Sequence, residues 1–291
     1  MALGTRPSLR LDEMCTTGVL RLGPGDYLLF KNKDFGRGHF DDRLVLDRDA
    51  FGVEGITTWA GDDPEVDEFS GFSIGANRHG LLCCDSNVRT LPDHDNYDRL
   101  VEIALREGTD VPSAVEAVRR AVSDRPFLWG NLVMIDDHQT AAVEVRSSQI
   151  EVLIGPDRLG RSNHHVVLGA TPSDDDVITT ASRLKSVLRR VEAAATVEDI
   201  LDLQTSHDDG STGICNHLGY NTVYTYVIRR TGDLTSLYVR QGQPCRAGDP
   251  LMLEIPLGER FTPDAVRNLR EAYPSSRALA DLSGGAGPGP A

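Results

Sequence analysis

The sequence predicts an α+β fold, a four-layer αββα sandwich of two antiparallel sheets. Three observations lead there. Strand-like and helix-like stretches come in the order strands, helices, strands, helices, strands, which suits two sheets packed face to face with helices outside. Consecutive strand patterns are separated by short turns, a spacing that antiparallel neighbours can use and parallel ones cannot. No linker-like stretch or internal repeat divides the chain. Periodicity alone reaches only a mixed α and β domain with mainly antiparallel sheet; the layered arrangement comes from the element order.

The elements follow from local pattern. Cys15 to Leu22 and Asp26 to Asp34 read as strands joined by Gly23-Pro24-Gly25. Val53 to Ala60 is β-rich, and the acidic run Asp62 to Glu68 reads as a solvated loop. Phe72 to Ala76 and Leu81 to Asp85 flank the hairpin-like Asn77-Arg78-His79-Gly80. Tyr97 to Arg106 and Val111 to Val122 repeat apolar residues at helical spacing. Gly130 to Asp136, Ala141 to Val145 and Ile150 to Ile154 form a predicted three-stranded meander. Val177 to Ala195 is a long amphipathic helix after the N-cap chemistry of Ser173-Asp174-Asp175-Asp176. Val197 to Leu203 is a shorter helix, and Thr222 to Ile228 with Leu234 to Val239 make a last hairpin around Gly232.

Composition narrows the function. The 291 residues carry 30 Lys plus Arg against 44 Asp plus Glu, a formal net charge of -14. Phosphate-backbone binding needs clustered positive charge, so nucleic acid is not an expected partner. No apolar run approaches the roughly 20 residues of a membrane span, so no membrane partner is expected. Five cysteines are too sparse for a disulfide framework. Met1 to Glu13 lack the apolar core of a signal peptide, and a cytoplasmic location with free thiols is expected. Residues 1–14 are read as an N-terminal extension or propeptide, 15–274 as one catalytic domain, and the Gly- and Pro-rich 275–291 as a disordered tail.

Met14-Cys15-Thr16-Thr17-Gly18 opens the first convincing strand, so Cys15 is expected exposed at a strand start with everything before it dispensable to the fold. If the bond before Cys15 is broken, the residue owns a free α-amino group with a reference pKa of roughly 7.7 to 8.0. That amine could take the thiol proton and leave a thiolate nucleophile in the same residue. Cleavage would expose it, and so would translation from Met14 followed by Met removal. The alternative is a buried strand cysteine.

Further motifs favour the nucleophile. Lys31-Asn32-Lys33-Asp34 resembles the Arg-Asn-x-Asp that follows the nucleophile in N-terminal-nucleophile amidases of the choloylglycine hydrolase and penicillin acyltransferase type. Gly75-Ala76-Asn77-Arg78-His79-Gly80-Leu81 with Asp85-Ser86-Asn87, Ser162-Asn163-His164 and Ser182-Arg183-Leu184 are similar to later signatures of that superfamily. Ser206-His207-Asp208-Asp209-Gly210, Ile214-Cys215-Asn216-His217 and Gly242-Gln243-Pro244-Cys245 resemble C-terminal signatures of the acyl-coenzyme A:6-aminopenicillanate acyltransferase family. The resemblance runs from Cys15 to about Leu257. Two departures stand out: Lys31 replaces the family's Arg, losing the planar fork, and Met14 precedes Cys15 where the acyltransferase type cleaves itself after Gly.

The resemblance implies an N-terminal-nucleophile hydrolase fold and a set of roles. Cys15 is nucleophile and, through its amine, base. Asp34 orients that amine, or is a strand-end turn residue. Asn87 and Asn163 stabilise the oxyanion, or form turns; Asn77 is nearer the turn reading. Arg183 reaches a carboxylate near the nucleophile, and Lys31 holds the thiolate or Asp34, unless each is an ordinary surface pair. Cys83-Cys84 read as packing residues. The implied substrate is a small-molecule N-acyl or acyl-thioester compound, with water or an amine as acceptor. No cofactor is expected. His164-His165 make a poor metal pair, and the spacing of His207, Cys215 and His217 matches no standard zinc site, so no metal is assigned. A homo-oligomer is left open. The competing readings are a catalytically silent scaffold of the same fold and a papain-like enzyme, which puts its Cys at a helix N-terminus.

Overall fold

The computed structural model describes residues 13–35, 42–56, 69–89, 91, 94–169, 174–208, 213–218 and 220–274. Its first hairpin pairs β1 (Glu13–Gly23) with β2 (Asp26–Phe35). Gly25 sits at φ 66°, the left-handed region that a side chain resists, which lets the chain reverse there. A register shift between Arg21 and Gly23 then places Cys15 opposite Lys33.

The remaining strands are β3 (Leu44–Leu46), β4 (Ala50–Ile56), β5 (Phe69–Asn77), β6 (Leu82–Arg89), β7 (Phe127–Ile135), β8 (Thr140–Ser147), β9 (Gln149–Gly155), β10 (Arg158–Arg161), β11 (His217–Leu218), β12 (Tyr220–Thr231), β13 (Leu234–Gln241) and β14 (Leu251–Glu254). The helices are α1 (Asp98–Glu107), α2 (Val111–Asp124), α3 (Asp174–Ala193), α4 (Val197–Leu203) and α5 (Pro263–Ala272). One sheet runs β10-β1-β2-β12-β13-β14 with β11 on β12, and the other runs β3 through β9 in chain order. All strand pairs within the sheets are antiparallel.

The strand period of two sorts side chains into layers. Val19 and Leu29 face inward and meet Val53, Ile74, Leu82 and Val133 of the other sheet. Leu20, Leu28 and Phe30 face outward and pack on Val187 and Val191 of α3 and Ile200 and Leu203 of α4. On the far side, Leu132, Met134 and Val143 pack on Leu100, Val101 and Leu105 of α1 and Val115 and Val118 of α2. Each such side chain contributes about 1.5–3 kcal/mol on burial. Two sheets, each covered outside by helices, make the αββα sandwich that the element order predicts.

Most expected elements are present, and α4 has the bounds read from the sequence. Five elements were not anticipated. β3, β10, β11 and β14 have 2 to 4 residues, too few for a period to register. α5 is mostly polar, and its narrow apolar stripe is only Val266 and Leu269, of which Leu269 alone is buried. Residues 1–12, 57–68 (with the acidic run Asp62 to Glu68 expected as a loop), Ser173 and 275–291 (expected as a disordered segment) lie outside the described residues.

One buried carboxyl titrates with the fold. Asp42 is fully enclosed and accepts hydrogen bonds from Tyr226 and, at 3.2 Å, from Tyr273. Burial raises its pKa from 3.8 to about 6, against the opposing pull of Lys33. Between those values the unfolded chain has lost a proton that the folded chain keeps, so this group's contribution to stability falls as pH rises from about 4 to about 6 and is flat above. Asp42→Asn is expected to remove that slope: its stability relative to the parent rises across this window, as urea denaturation at about pH 4.5 and 7.5 would measure.

Candidate active site

The strand β1 carries Cys15 to the interior, between the sheets. Its peptide N–H donates to Asn163 Oδ1 at 3.0 Å, and Asn163 Nδ2 donates to the Asn87 carbonyl on β6 at 2.6 Å. Arg183, on α3, donates to the same Asn163 Oδ1 at 2.8 Å, to the Cys15 carbonyl at 2.9 Å and to Thr16 Oγ1 at 3.2 Å. Two obligate donors converge on Oδ1 while a carbonyl faces Nδ2, so the network fixes which way the Asn163 amide points. Cys15, Asn163, Arg183 and Asn87 thus form one hydrogen-bonded unit, from four parts of the chain.

Local devices hold the Asn163 segment, which follows β10. Asn131 Nδ2 on β7 donates to the Ser162 carbonyl at 2.9 Å and the His164 carbonyl at 3.2 Å, and Ser86 Oγ donates to Ser162 O at 3.0 Å. The buried Glu144 carboxylate accepts from the backbone N–H groups of Val166, Val167 and Leu168 at 2.7 to 3.1 Å. Charge-assisted bonds of this kind are about twice as strong as neutral ones. His164 and His165 serve the same segment: the first hydrogen-bonds Thr180 Oγ1, the second reaches Gly130 O at 3.2 Å. Burial holds both imidazoles below their ordinary pKa, and the Arg183 charge adds to this at His164.

Asp34 lies one residue beyond Lys33, opposite Met14, and accepts from Thr222 Oγ1 at 2.7 Å. Thr222 Oγ1 in turn accepts from the Asn216 N–H at 2.9 Å. Lys31 is fully buried, and its ammonium is 2.9 Å from Asp85 Oδ1 and 2.6 Å from Ser73 Oγ on the facing sheet. It is no surface pair. Nor is Arg183, whose side chain is among the largest fully buried ones.

The structure corrects one expectation. Cys15 is not exposed at a strand start: it is buried, and Glu13 and Met14 extend β1 before it. The cause is β2, which runs on to Phe35 and supplies pairing partners for both. Asn77 matches its turn reading, with Oδ1 accepting from His79 N and Leu81 N and Nδ2 capping Leu105 O and Gly108 O. Cys83 and Cys84 are buried packing residues whose thiols burial pushes well up.

Several participants escaped the sequence reading. Lys33 is buried directly across from Cys15 on the same face of the sheet. It sits inside the quoted Lys31-Asn32-Lys33-Asp34, but its register depends on the bulge. Thr222, Asn131 and Glu144 gave no local signal. A cleft of about 520 Å³ lined by Arg48, Arg78, His79, Arg230 and Arg260 also exists. It adjoins the Tyr27 end of β2, away from Cys15, and Asp49, Asp233 and Glu254 pair with three of its arginines.

The buried Lys31–Asp85 pair yields a stability test. Removing one partner of such a pair leaves an uncompensated charge and costs about 3–5 kcal/mol. Lys31→Met is expected to lose that much in urea denaturation, and adding Asp85→Leu is expected to recover most of it.

No family model matches this chain, and no curated protein is similar to it. Among solved structures it is similar to a mutant of conjugated bile acid hydrolase from Clostridium perfringens, with TM-score 0.50 and 14% identity over 83% of this chain and 92% of that one. Penicillin V acylase from Agrobacterium tumefaciens aligns at TM-score 0.48 and 12% identity, over 82% of this chain and 85% of that one. The two-sheet topology and the bile acid hydrolase alignment agree: the chain has the αββα fold of the N-terminal-nucleophile hydrolases.

Proposed function

We propose that the protein is an amidohydrolase working through an acyl-enzyme on Cys15, with transfer to an amine as a second outcome of the same intermediate. The observation that carries this is the placement of the Cys15 nitrogen. It points at Asn163 Oδ1 in a buried polar cluster that also holds Arg183 and the Asn87 peptide group. Release of residues 1–14, by cleavage or by a start at Met14, turns that nitrogen into an amine.

The steps then balance. The amine takes the Cys15 thiol proton, directly or through water, and the thiolate attacks the carbonyl carbon of an N-acyl substrate. The negative charge that develops on the carbonyl oxygen is met by the second N–H of Asn163 Nδ2 and by donors around Asn87. The intermediate collapses, the C–N bond breaks, and the leaving amine takes the proton from the Cys15 ammonium. Water attacks the resulting thioester and gives up its proton to the Cys15 amine; the C–S bond breaks, the acid leaves, and the Cys15 sulfur takes that proton back. An amine in place of water completes acyl transfer, and an acyl thioester in place of the amide gives the same intermediate with a thiol leaving.

Asn163 and Asp34 orient the amine, Arg183 fixes Asn163 and the Cys15 carbonyl, and Lys33 and Lys31 on β2 supply positive charge to the strand facing β1. The fold shared with a conjugated bile acid hydrolase supports hydrolysis of a small-molecule amide. A silent scaffold would have no need of a buried donor and acceptor set arranged around one backbone nitrogen.

Intact-mass analysis of the protein incubated with a panel of N-acyl compounds and acyl thioesters tests the reading. The expected result is loss of residues 1–14 and one acyl adduct, absent in Cys15→Ala. Turnover by protein that still carries the Met14–Cys15 bond, or by Cys15→Ala, sinks it. Asn163→Ala is expected to lower kcat by about 100- to 1,000-fold, the effect of removing an oxyanion donor, as steady-state kinetics would measure.

A further inference from the structure

A second constellation lies behind the Asp34 end of the site. His207 follows α4, Cys215 and His217 lead into β11, and Cys245 sits in the turn between β13 and β14. Each brings one donor atom within 4.8 Å of the others. His207 Nε2 is 2.8 Å from His217 Nε2, Cys245 Sγ is 3.2 Å from it, and Cys215 Sγ is 3.4 Å from it. Spacing within 207–217 suggested no site because the fourth donor comes from a distant turn.

The convergence needs an explanation. A neutral imidazole nitrogen has either one N–H or one lone pair. His217 Nε2 can therefore satisfy one neighbour, yet three donor atoms crowd it. A tetrahedral zinc ion with Zn–N of about 2.0–2.1 Å and Zn–S of about 2.3 Å holds its ligands roughly 3.3–3.8 Å apart. The three separations from His217 Nε2 lie within about half an ångström of that, and no two of the four atoms are more than 4.8 Å apart. Two thiolates and two neutral imidazoles are also a standard structural zinc set, and the thiolates offset the charge of the ion.

We propose that His207, Cys215, His217 and Cys245 form a structural Cys2His2 zinc site. Four protein ligands close the coordination sphere, so the ion has no position for substrate and takes no part in amide chemistry. Its work is to staple three segments that lie apart in the sequence, adding to the Cys215 N–H bond to the Ser206 carbonyl at 3.1 Å. Between Cys215 and His217 lies Asn216, whose N–H donates to Thr222 Oγ1, which donates to Asp34. The staple thus fixes the shelf on which the Asp34 carboxylate rests. The proposal does not depend on the function assigned to Cys15.

Metal analysis of the untagged full-length chain, purified and reconstituted with zinc chloride, decides it. The expected content is one zinc per chain. Cobalt(II) is expected to give the thiolate-to-cobalt charge-transfer band and intense visible bands of a tetrahedral sulfur-ligated site. Cys245 is exposed, so Cys245→Ser should fold, as circular dichroism would verify. It is expected to lose those bands and at least about 10-fold in zinc affinity. Wild-type protein that stays below half an equivalent of zinc overturns the proposal. So does full zinc retention by both Cys245→Ser and His217→Ala, or a Cys215–Cys245 disulfide in place of metal.

Discussion

The amide of Asn163 is the constraint on which the site depends. Its oxygen takes N–H groups from Cys15 on one sheet and Arg183 on the outer helix, and its nitrogen holds the Asn87 carbonyl on the other sheet. One side chain therefore joins three of the four layers at the point where chemistry is proposed. A buried polar group of this kind is stable only when its partners are present. The site and the alignment of the two sheets are for that reason one problem. A shift of β1 against β6 would break the Asn163 bonds and leave polar atoms stranded in the core.

The same logic explains the charge buried nearby. Lys31, Lys33, Asp34, Asp85, Glu144 and Arg183 are all nearly inaccessible. Burying an ion costs several kcal/mol unless partners offset it. Lys31 has Asp85 and Ser73, Arg183 has three oxygen acceptors, and Glu144 has three backbone N–H groups. An apolar filling would be at least as stable in most such places. Polar groups kept in the core at this cost suit a site that must develop and neutralise charge away from water, the role proposed for Cys15.

How much of this the sequence discloses depends on range. Helices α1 and α4 and the β7-β8-β9 meander are legible because their residues repeat at a fixed local period. Asn77 is legible because its partners lie within a few residues or in the adjoining helix. The pairing of Cys15 is not. Counted outward from the Gly23-Pro24-Gly25 turn, Cys15 would face Asp34; the bulge between Arg21 and Gly23 moves it to Lys33. One inserted residue in a strand changes every partner beyond it. Thr222 and Asn131 contribute through contacts across long stretches of chain, and nothing local marks them. Cys245 is the clearest case: its neighbours in sequence are an ordinary turn, and only the return of β13 brings it to His217.

The peptide bond before Cys15 reveals how the site can be built before it works. The nitrogen already donates to Asn163 while it belongs to a peptide, and an amine at the same position would donate along the same line. Release of the upstream segment, as proposed, would then change the basicity of that atom. Removing Glu13 and Met14 costs two strand pairings at the end of β1 and the burial of the Met14 side chain. Arg183 holds the Cys15 carbonyl and the β1–β10 ladder begins at Thr17, so the new terminus remains anchored on its own side of the cut. A cut at the strand end would therefore leave the pairings of β1 from Cys15 onward in place.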